Sequence, residues 1–390
     1  MAWDREEGRL LSSAFAANAM AYIPVTVLPW LIEGLAKGVN WGLQTAGLIA
    51  SGELFILAMG AMVGVLLAGR VTKRAMAITG GSAALCSSLA LSVSTSAPLD
   101  LWLLAGMGFG CGLCSACGNS IVAQARNPGR FTADLWFLIL IWQAVLCLTT
   151  PNAFGRWHIS GVYWVQTLGC LILMPLLIAW NPAVSRPSSA SSNLPRLKIP
   201  TISTSALLVG VVSLCFWLRD SITWSMAERR AVVLGISDGQ LSLTLAAAMT
   251  LGLAGPIVSR YLGLRFGHAK TVFGSLALLA LVMQGIALSD SAHAYIFSLL
   301  FWTATSFFAW IYVLGMAVSL DAEGSLASIC GGLVFLASAA GPLVGAALLD
   351  YDGGRILSLA IVILSVLTLI AGTSVARRLS RQPSYDRLIS

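Results

Sequence analysis

Four ionisable residues lie inside long apolar stretches of this chain, namely Glu53, Asp134, Arg219 and Asp220. A charged side chain in the middle of a helix surrounded by lipid costs about 2.5–3.5 kcal/mol on insertion scales. Each of the four therefore needs a partner, a polar cavity or, for a carboxyl group, a bound proton. Groups of this kind could bind a charged solute, carry a proton or join two helices.

Arg219 and Asp220 are adjacent in the middle of the apolar segment 203–227. A guanidinium group binds a carboxylate through two parallel hydrogen bonds, so Arg219 is a candidate to recognise an anionic or carboxylate-bearing solute. Successive helix positions differ by about 100°, and we therefore expect the two side chains to point to different sides. The structural alternative is a buried pair that holds this helix to a neighbour.

Glu53 lies nine residues into the segment 44–69, with no basic residue within two helical turns. Glu53 and Asp220 are the candidates for proton coupling, because burial in apolar surroundings disfavours the charged form of a carboxyl group. For Glu53 the alternative is a structural ion pair with another helix. Asp134 lies four residues after Arg130, and an i,i+4 ion pair near the helix end explains it.

The composition predicts a membrane protein. Apolar residues (AVILMFWYC) make up 57% of the 390 residues and charged residues only 10%, whereas soluble domains contain about 25% charged residues. So few charges cannot cover a soluble globule, which excludes an ordinary cytosolic enzyme, a disordered protein and a nucleic-acid-binding protein. Cys111, Cys114 and Cys117 share helical spacing, and we interpret them as small packing residues rather than as ligands of a soft metal.

Twelve apolar segments are long enough to cross a bilayer as helices. They lie near 10–33, 44–69, 75–96, 99–124, 132–152, 160–180, 203–227, 238–259, 270–289, 293–318, 324–349 and 355–376. Their continuous apolar character excludes the short alternating strands of a barrel. The sequence predicts an all-α integral membrane protein with a six-helix half at 1–180, a cytoplasmic linker at 181–202 and a second six-helix half at 203–390.

The basic residues predict an orientation. Seventeen of the 23 Lys and Arg residues fall on the side of the N-terminus, five fall on the other side, and Arg219 lies within a span. Under the positive-inside rule this asymmetry predicts cytoplasmic N- and C-termini. We expect a multi-pass protein of a bacterial inner (plasma) membrane, whose partner is the lipid bilayer.

The loop after the second span reads VLLAGRVTKR at 65–74, and its basic residues are Arg70, Lys73 and Arg74. A weaker copy with Arg260 follows the eighth span, 190 residues later, as an internal duplication would place it. With the six-plus-six arrangement, these motifs resemble the major facilitator superfamily of secondary transporters over essentially the whole chain. The resemblance implies that the four basic residues form a cytoplasmic gate motif.

The sequence departs from the family pattern at three informative places. Gly69 stands where the family's loop motif has Asp, and Trp102 stands where the fourth span usually has an Arg. A proton-relay role for that Arg is therefore not carried over. The fifth span also lacks the Gly-Pro-x-x-Gly-Gly element of many drug antiporters, which disfavours a typical drug antiporter.

The resemblance implies that spans 1, 4, 7 and 10 line a solute site. Our candidates for substrate binding, besides the charged residues, are Asn18, Tyr22, Gln143, Trp217 and Trp310. The alternative for the aromatic residues is packing or contact with lipid. Glu53 and Arg219 lie at similar depths from the outer face, which predicts that they pair when the outer gate is closed.

These features predict a secondary active transporter of a small organic solute, anionic or aromatic, that works by alternating access with proton coupling. The alternatives are a proton-driven exporter of lipophilic compounds and, from another class, a transporter-like sensor or a polytopic membrane enzyme. The three histidines lie in separate loops, which disfavours an enzyme. No Walker motif is present, so we expect no ATP, no other cofactor and no metal. We expect a monomer.

Overall fold

A computed structural model describes residues 5–38, 42–67, 70–94, 97–122, 128–179, 203–263, 265–320, 325–352 and 355–380. Every regular element in these ranges is a helix. The first five helices are α1 (Arg5–Gly38), α2 (Gly42–Leu67), α3 (Lys73–Val93), α4 (Ala97–Val122) and α5 (Pro128–Ile178). The next eight are α6 (Thr204–Ser225), α7 (Ala227–Val233), α8 (Asp238–Gly252), α9 (Ala254–Leu262), α10 (His268–Leu288), α11 (Ala292–Leu320), α12 (Ser325–Asp352) and α13 (Arg355–Leu379).

Eleven helical segments within the described ranges are long and apolar enough to cross a membrane. One of them, Asp134–Ile178, has 45 residues and would be about 68 Å long as a straight helix, more than twice the hydrocarbon thickness. His158 interrupts it with φ 52° and ψ −136°, values outside the helical region. The segment is therefore two spans, and the predicted total of twelve spans is confirmed.

The chain divides into two compact units, Met1–Arg196 and Leu197–Ser390. In the first unit α1 packs on α5, α2 on α4, and α3 on both α4 and α5. In the second unit α6 packs on α12, α8 on α11, and α10 on both α11 and α13. The same scheme of pairings occurs in both units, as the predicted duplication requires. The predicted linker at 181–202 lies outside the described residues.

Glycine sets the distance between α2 and α4. A Cβ atom on Gly108 or Gly112 of α4 would collide with the main-chain oxygens of Glu53 and Leu57 on α2. These positions need glycine because only a residue without a side chain allows two helix backbones to approach so closely. The close approach buries Glu53 between the two helices.

Candidate functional site

Arg219 and Asp220 form a buried ion pair on α6. Arg219 is only 1% exposed and Asp220 only 7%. The Nη2 and Nε atoms of Arg219 donate hydrogen bonds of 2.9 and 3.2 Å to Oδ1 of Asp220. We expected adjacent side chains to point to different sides and therefore not to meet. This was wrong, because the long arginine side chain bends back to bind its neighbour.

The second oxygen of Asp220 is bound by α11. Trp302 Nε1 donates to Oδ2 of Asp220 at 3.3 Å, and Ser306 Oγ donates to the same oxygen at 2.9 Å. Trp302 and Ser306 are one helical turn apart, so they present both donors on one face of α11. Asp220 thus accepts four hydrogen bonds, and a buried charge with this many donors is well compensated.

The ring of Phe216 lies against the guanidinium group and belongs to an aromatic cluster. The Cζ atom of Arg219 lies 4.8 Å from the ring centroid of Phe216, which is a cation–π distance. Phe216 and Trp217 each lie against Trp310 of α11, with centroid separations of 5.4 Å. The indole nitrogen of Trp217 is buried and has no hydrogen-bond partner within the described part of the chain. The second unit therefore holds a cation, aromatic surfaces and an unused donor close together.

Glu53 has a contrasting environment in the first unit. It is 2% exposed, and neither carboxyl oxygen has a hydrogen-bond partner among the residues that the structure describes. The titratable groups within electrostatic reach are those of Cys111 on α4 and Tyr163 on α5. Both are neutral acids, so they do not compensate a negative charge. No described residue of the first unit therefore supplies the ion-pair partner on another helix that the structural alternative needs.

The other polar candidates of the first unit are only partly brought together. Gln143 Nε2 donates to Thr26 Oγ1 at 3.2 Å, which joins α5 to α1. Tyr22 lies one turn before Thr26 and packs edge-on against Trp136, with centroids 5.3 Å apart. Asn18 donates instead to a carbonyl oxygen of its own helix. Tyr22 and Gln143 therefore belong to one polar and aromatic patch, whereas Asn18 is bonded separately.

Two basic residues of the loop motif bind helix ends. Lys73 Nζ donates to the carbonyl oxygen of Ser120 at 3.5 Å, near the end of α4. Arg74 Nη2 donates to the carbonyl oxygen of Ile178 at 2.8 Å, at the end of α5. Cations at these positions satisfy terminal carbonyl groups and complement the helix dipoles. Within the first unit these residues hold three helix ends together, and their role in a gate stays a prediction.

The remaining predicted residues are less informative. Arg70 is exposed, and the side chains of Arg130 and Arg260 lie outside the described residues. Asp134 is half-buried near the start of its span. The predicted pairing of Glu53 with Arg219 concerns two separate units and stays a prediction.

Sequence reasoning missed three polar residues of the first unit. Gln166 is fully buried, and neither atom of its amide group has a partner among the described residues. Glu33 is 1% exposed and forms an ion pair with Lys37. Asp100 has one carboxyl oxygen that is buried without a partner in the same described ranges. Gln166 is an amide inside a span, like Asn18 and Gln143, and Glu33 and Asp100 are acids near span ends, so the sequence alone carries a signal for all three.

Comparison with known proteins gives relatives in sequence and in fold. No known family profile matches the chain. The 3-(3-hydroxy-phenyl)propionate transporter of Escherichia coli (strain K12) is 27% identical over 234 residues, which are 55% of this chain and 57% of that transporter. The matched region thus spans little more than half of that relative.

Solved structures match over nearly the whole chain. The human organic anion transporter MFSD10 superposes with a TM-score of 0.72 and 15% identity, covering 95% of this chain and all of that chain. A D-xylose-proton symporter superposes with a TM-score of 0.72 and 14% identity, covering 93% and 96%. At such identities the likeness establishes the fold.

Proposed function

We propose that this chain, which has the fold of the major facilitator superfamily, is a secondary active transporter of a small organic acid. The observation on which the proposal rests is the buried pair of Arg219 and Asp220 next to an aromatic cluster, inside a predicted membrane span. The E. coli relative, whose name gives an aromatic carboxylic acid as its solute, supports the same class of substrate.

The substrate carboxylate binds Arg219 in place of Asp220. In the structure Asp220 accepts hydrogen bonds from the guanidinium group with its Oδ1 atom only. Its Oδ2 atom accepts hydrogen bonds from Trp302 and Ser306. Asp220 can therefore release Arg219 without becoming an unpartnered buried charge. An arriving carboxylate takes over the two guanidinium hydrogen bonds, which a simple point charge would satisfy less well.

The aromatic cluster binds the body of the substrate. Trp217 and Trp310 meet edge to face, and an aromatic ring could stack beside them. The unused indole N–H of Trp217 would donate to a polar substituent on that ring. A solute with a carboxylate at one end and a hydroxyl-bearing ring at the other uses every group of the cluster.

Glu53 carries the coupling proton. A buried carboxylate without donors is strongly disfavoured, whereas its protonated form is neutral and tolerable in apolar surroundings. Asp220 is the second candidate, but four donors stabilise its charged form. Protonation of Glu53 would change the charge that the first unit presents, and transport should then depend on pH.

Alternating access by a rocking motion of the two halves would link these events. In this proposal Glu53 and Arg219 pair when the outer gate is closed and separate when it opens. Exchange of the two charges, by Glu53→Arg combined with Arg219→Glu, tests the gate. Each single change should abolish transport and the double change should recover part of it; harmless single changes would refute the gate.

The proposal includes a location and an orientation. The chain is a multi-pass membrane protein, and its basic residues support cytoplasmic termini in a bacterial inner membrane. It acts as a monomer and as a transporter rather than as an enzyme. Cysteine labelling of exposed Arg70 from either side of sealed vesicles, in an Arg70→Cys variant, would test the orientation.

Binding measurements on the purified full-length protein test the substrate class. The probe is 3-(3-hydroxyphenyl)propionate, and its methyl ester is the matched neutral ligand. The acid should raise the melting temperature of the wild type and of Arg230→Ala, a control that removes a half-buried arginine bound to Ser289. Arg219→Lys should lose most of the shift, because a lysine cannot form the bidentate pair.

Equal shifts with acid and ester would overturn the proposed carboxylate site. They would favour the alternative, export of lipophilic compounds, which needs the aromatic cluster but not Arg219. Uptake by proteoliposomes then separates transport from sensing, because a sensor would bind the acid without moving it.

A further inference from the structure

A small cavity lies at one end of the first unit, where α1 and α3 end and α4 begins. Its volume is about 50 Å³, which is room for about three water molecules. The polar side chains that line it are Ser94, Asp100, Ser160 and Tyr163, and no lysine or arginine is among the described lining residues. With the N-terminus in the cytoplasm, this end faces the outside.

Asp100 gives the cavity a negative charge that no described lining residue neutralises. Its Oδ1 atom is buried and accepts no hydrogen bond from the described residues. A cleft lined by one sign of charge concentrates small ions of the opposite sign. The cavity is therefore suited to collect protons from water.

One wall of the cavity leads inward along α4 to Glu53. Asp100, Leu104 and Gly108 are spaced by four residues and share a face of the helix. Asp100 and Leu104 line the cavity, and a Cβ atom on Gly108 would lie 3.4 Å from the Cγ atom of Glu53. Glu53 thus lies about one helical turn, or roughly 5 Å along the axis, beyond the cavity.

The opposite wall leads inward along α5 to Gln166. Ser160 and Tyr163 line the cavity, and Gln166 follows at the same spacing of three residues. Gln166 is fully buried, and both of its amide atoms lack partners within the described chain. Tyr163 lies within electrostatic reach of both Asp100 and Glu53. Two unpartnered polar groups therefore lie just inside a cavity that has an acidic rim.

We propose that this cavity is the entry for the coupling proton, with Asp100 as the collector, Tyr163 as the relay and Glu53 as the acceptor. The inference rests on the proposed proton coupling at Glu53. Asp100 takes a proton from water and passes it to the oxygen of Tyr163, which releases its own hydroxyl proton to a carboxylate oxygen of Glu53. Gln166, whose amide has no partner among the described residues, lies one turn beyond Tyr163 on the same wall. The route is separate from the substrate site at Arg219.

Infrared spectroscopy of the full-length protein in nanodiscs tests the route without any substrate. The carboxyl stretch of protonated Glu53 is assigned as the band lost in Glu53→Gln, and its shift after transfer to D₂O reports proton exchange. Asp100→Asn should slow the exchange about tenfold, because it removes the collecting charge. Tyr163→Phe should slow it by a factor on the order of 100, because it removes the relay hydroxyl.

Matched controls come from the second unit. Asp238→Asn changes an exposed aspartate at the start of α8, and Tyr295→Phe removes a buried hydroxyl that donates to Ala227. In both control variants the carboxyl proton of Glu53 should exchange at the wild-type rate. Thermal unfolding verifies that every variant is folded.

The two proposals fail in different ways in this experiment. Wild-type exchange rates in both Asp100→Asn and Tyr163→Phe would overturn the route, while protonation of Glu53 would stand. The absence of any band that depends on Glu53 would overturn both the route and proton coupling at this residue. Neither result bears on recognition of the acid by Arg219.

Discussion

Glu53 and Asp220 are both buried acids inside helices, yet their surroundings are opposite. Asp220 accepts hydrogen bonds from Arg219, Trp302 and Ser306, whereas no described residue donates to Glu53. Burial is nearly the same, at 7% and 2% exposure. The difference shows that hydrogen-bond donors, rather than depth, decide whether the charge of a buried acid is compensated, and on this ground we propose a fixed charge at Asp220 and a proton carrier at Glu53.

Removal of Arg219 should have the largest effect. Arg219→Ala breaks the buried ion pair and leaves Asp220 with only its two neutral donors, Trp302 and Ser306, which costs about 3–5 kcal/mol of unfolding free energy. Binding of 3-(3-hydroxyphenyl)propionate should fall more than 100-fold, a loss of about 2.7 kcal/mol. Denaturation and calorimetric titration measure the two effects. The double variant Arg219→Ala with Asp220→Ala should recover stability but not binding; recovered binding would contradict the proposed role of the arginine.

Neutral isosteres of Asp220 and Glu53 should have different effects on the free energy of unfolding. Asp220→Asn removes the charge that Arg219 needs and should cost about 2–4 kcal/mol. Glu53→Gln replaces a protonated carboxyl by a neutral group of the same shape and should stay within about 0.5 kcal/mol of the wild type. Thermal unfolding at neutral pH provides the comparison. A larger loss for Glu53→Gln than for Asp220→Asn would reverse our assignment.

The donors on α11 should have a smaller effect. Ser306→Ala and Trp302→Phe each remove one hydrogen bond to the Asp220 carboxylate, at a cost of about 1–2 kcal/mol. Ser319→Ala, which changes a half-buried serine of the same helix that donates to the carbonyl oxygen of Gly315, is the control and should be nearly neutral. If the three variants unfold alike, Asp220 does not depend on the second pair of donors.

The smallest effect is expected at the helix ends, where water competes for every charge. Arg74→Ala removes a partly exposed hydrogen bond to Ile178 and should cost about 0.5–1 kcal/mol. Arg70→Ala, an exposed neighbour in the same loop, should be neutral within about 0.5 kcal/mol. Thermal unfolding in high salt should reduce the cost at Arg74. An equal loss of unfolding free energy in Arg70→Ala would mean that the positive charge of the loop stabilises the protein and that the hydrogen bond from Arg74 to Ile178 does not.

The fold was predictable because lipid imposes a simple constraint. Each span needs about 20 apolar residues and must satisfy its own backbone, so hydropathy locates helices such as α2 and α13 to within a few residues. The break at His158 falls in the gap between the predicted spans 132–152 and 160–180. The pairings of helices were not readable, because they depend on small residues such as Gly108 meeting a partner far away in sequence.

The candidate site was predictable in part. The cost of charge in lipid singled out Arg219 and Asp220 without any structure. Their mutual bond and the donors Trp302 and Ser306 were not foreseen, since a helical projection ignores the reach of a long side chain and the partners on another helix. Gln166 was missed because the sequence does not show whether an amide inside a span finds hydrogen-bond partners, although an unpartnered one is costly when buried.

Proton flux in proteoliposomes with an internal pH-sensitive dye tests the central claim most directly. A gradient of 3-(3-hydroxyphenyl)propionate should drive a pH change across membranes that contain the wild type. Glu53→Gln should still bind the acid but move no protons, and Arg219→Lys should show neither binding nor flux. Full proton flux in Glu53→Gln, or acid transport by the wild type without any pH change, would contradict the account.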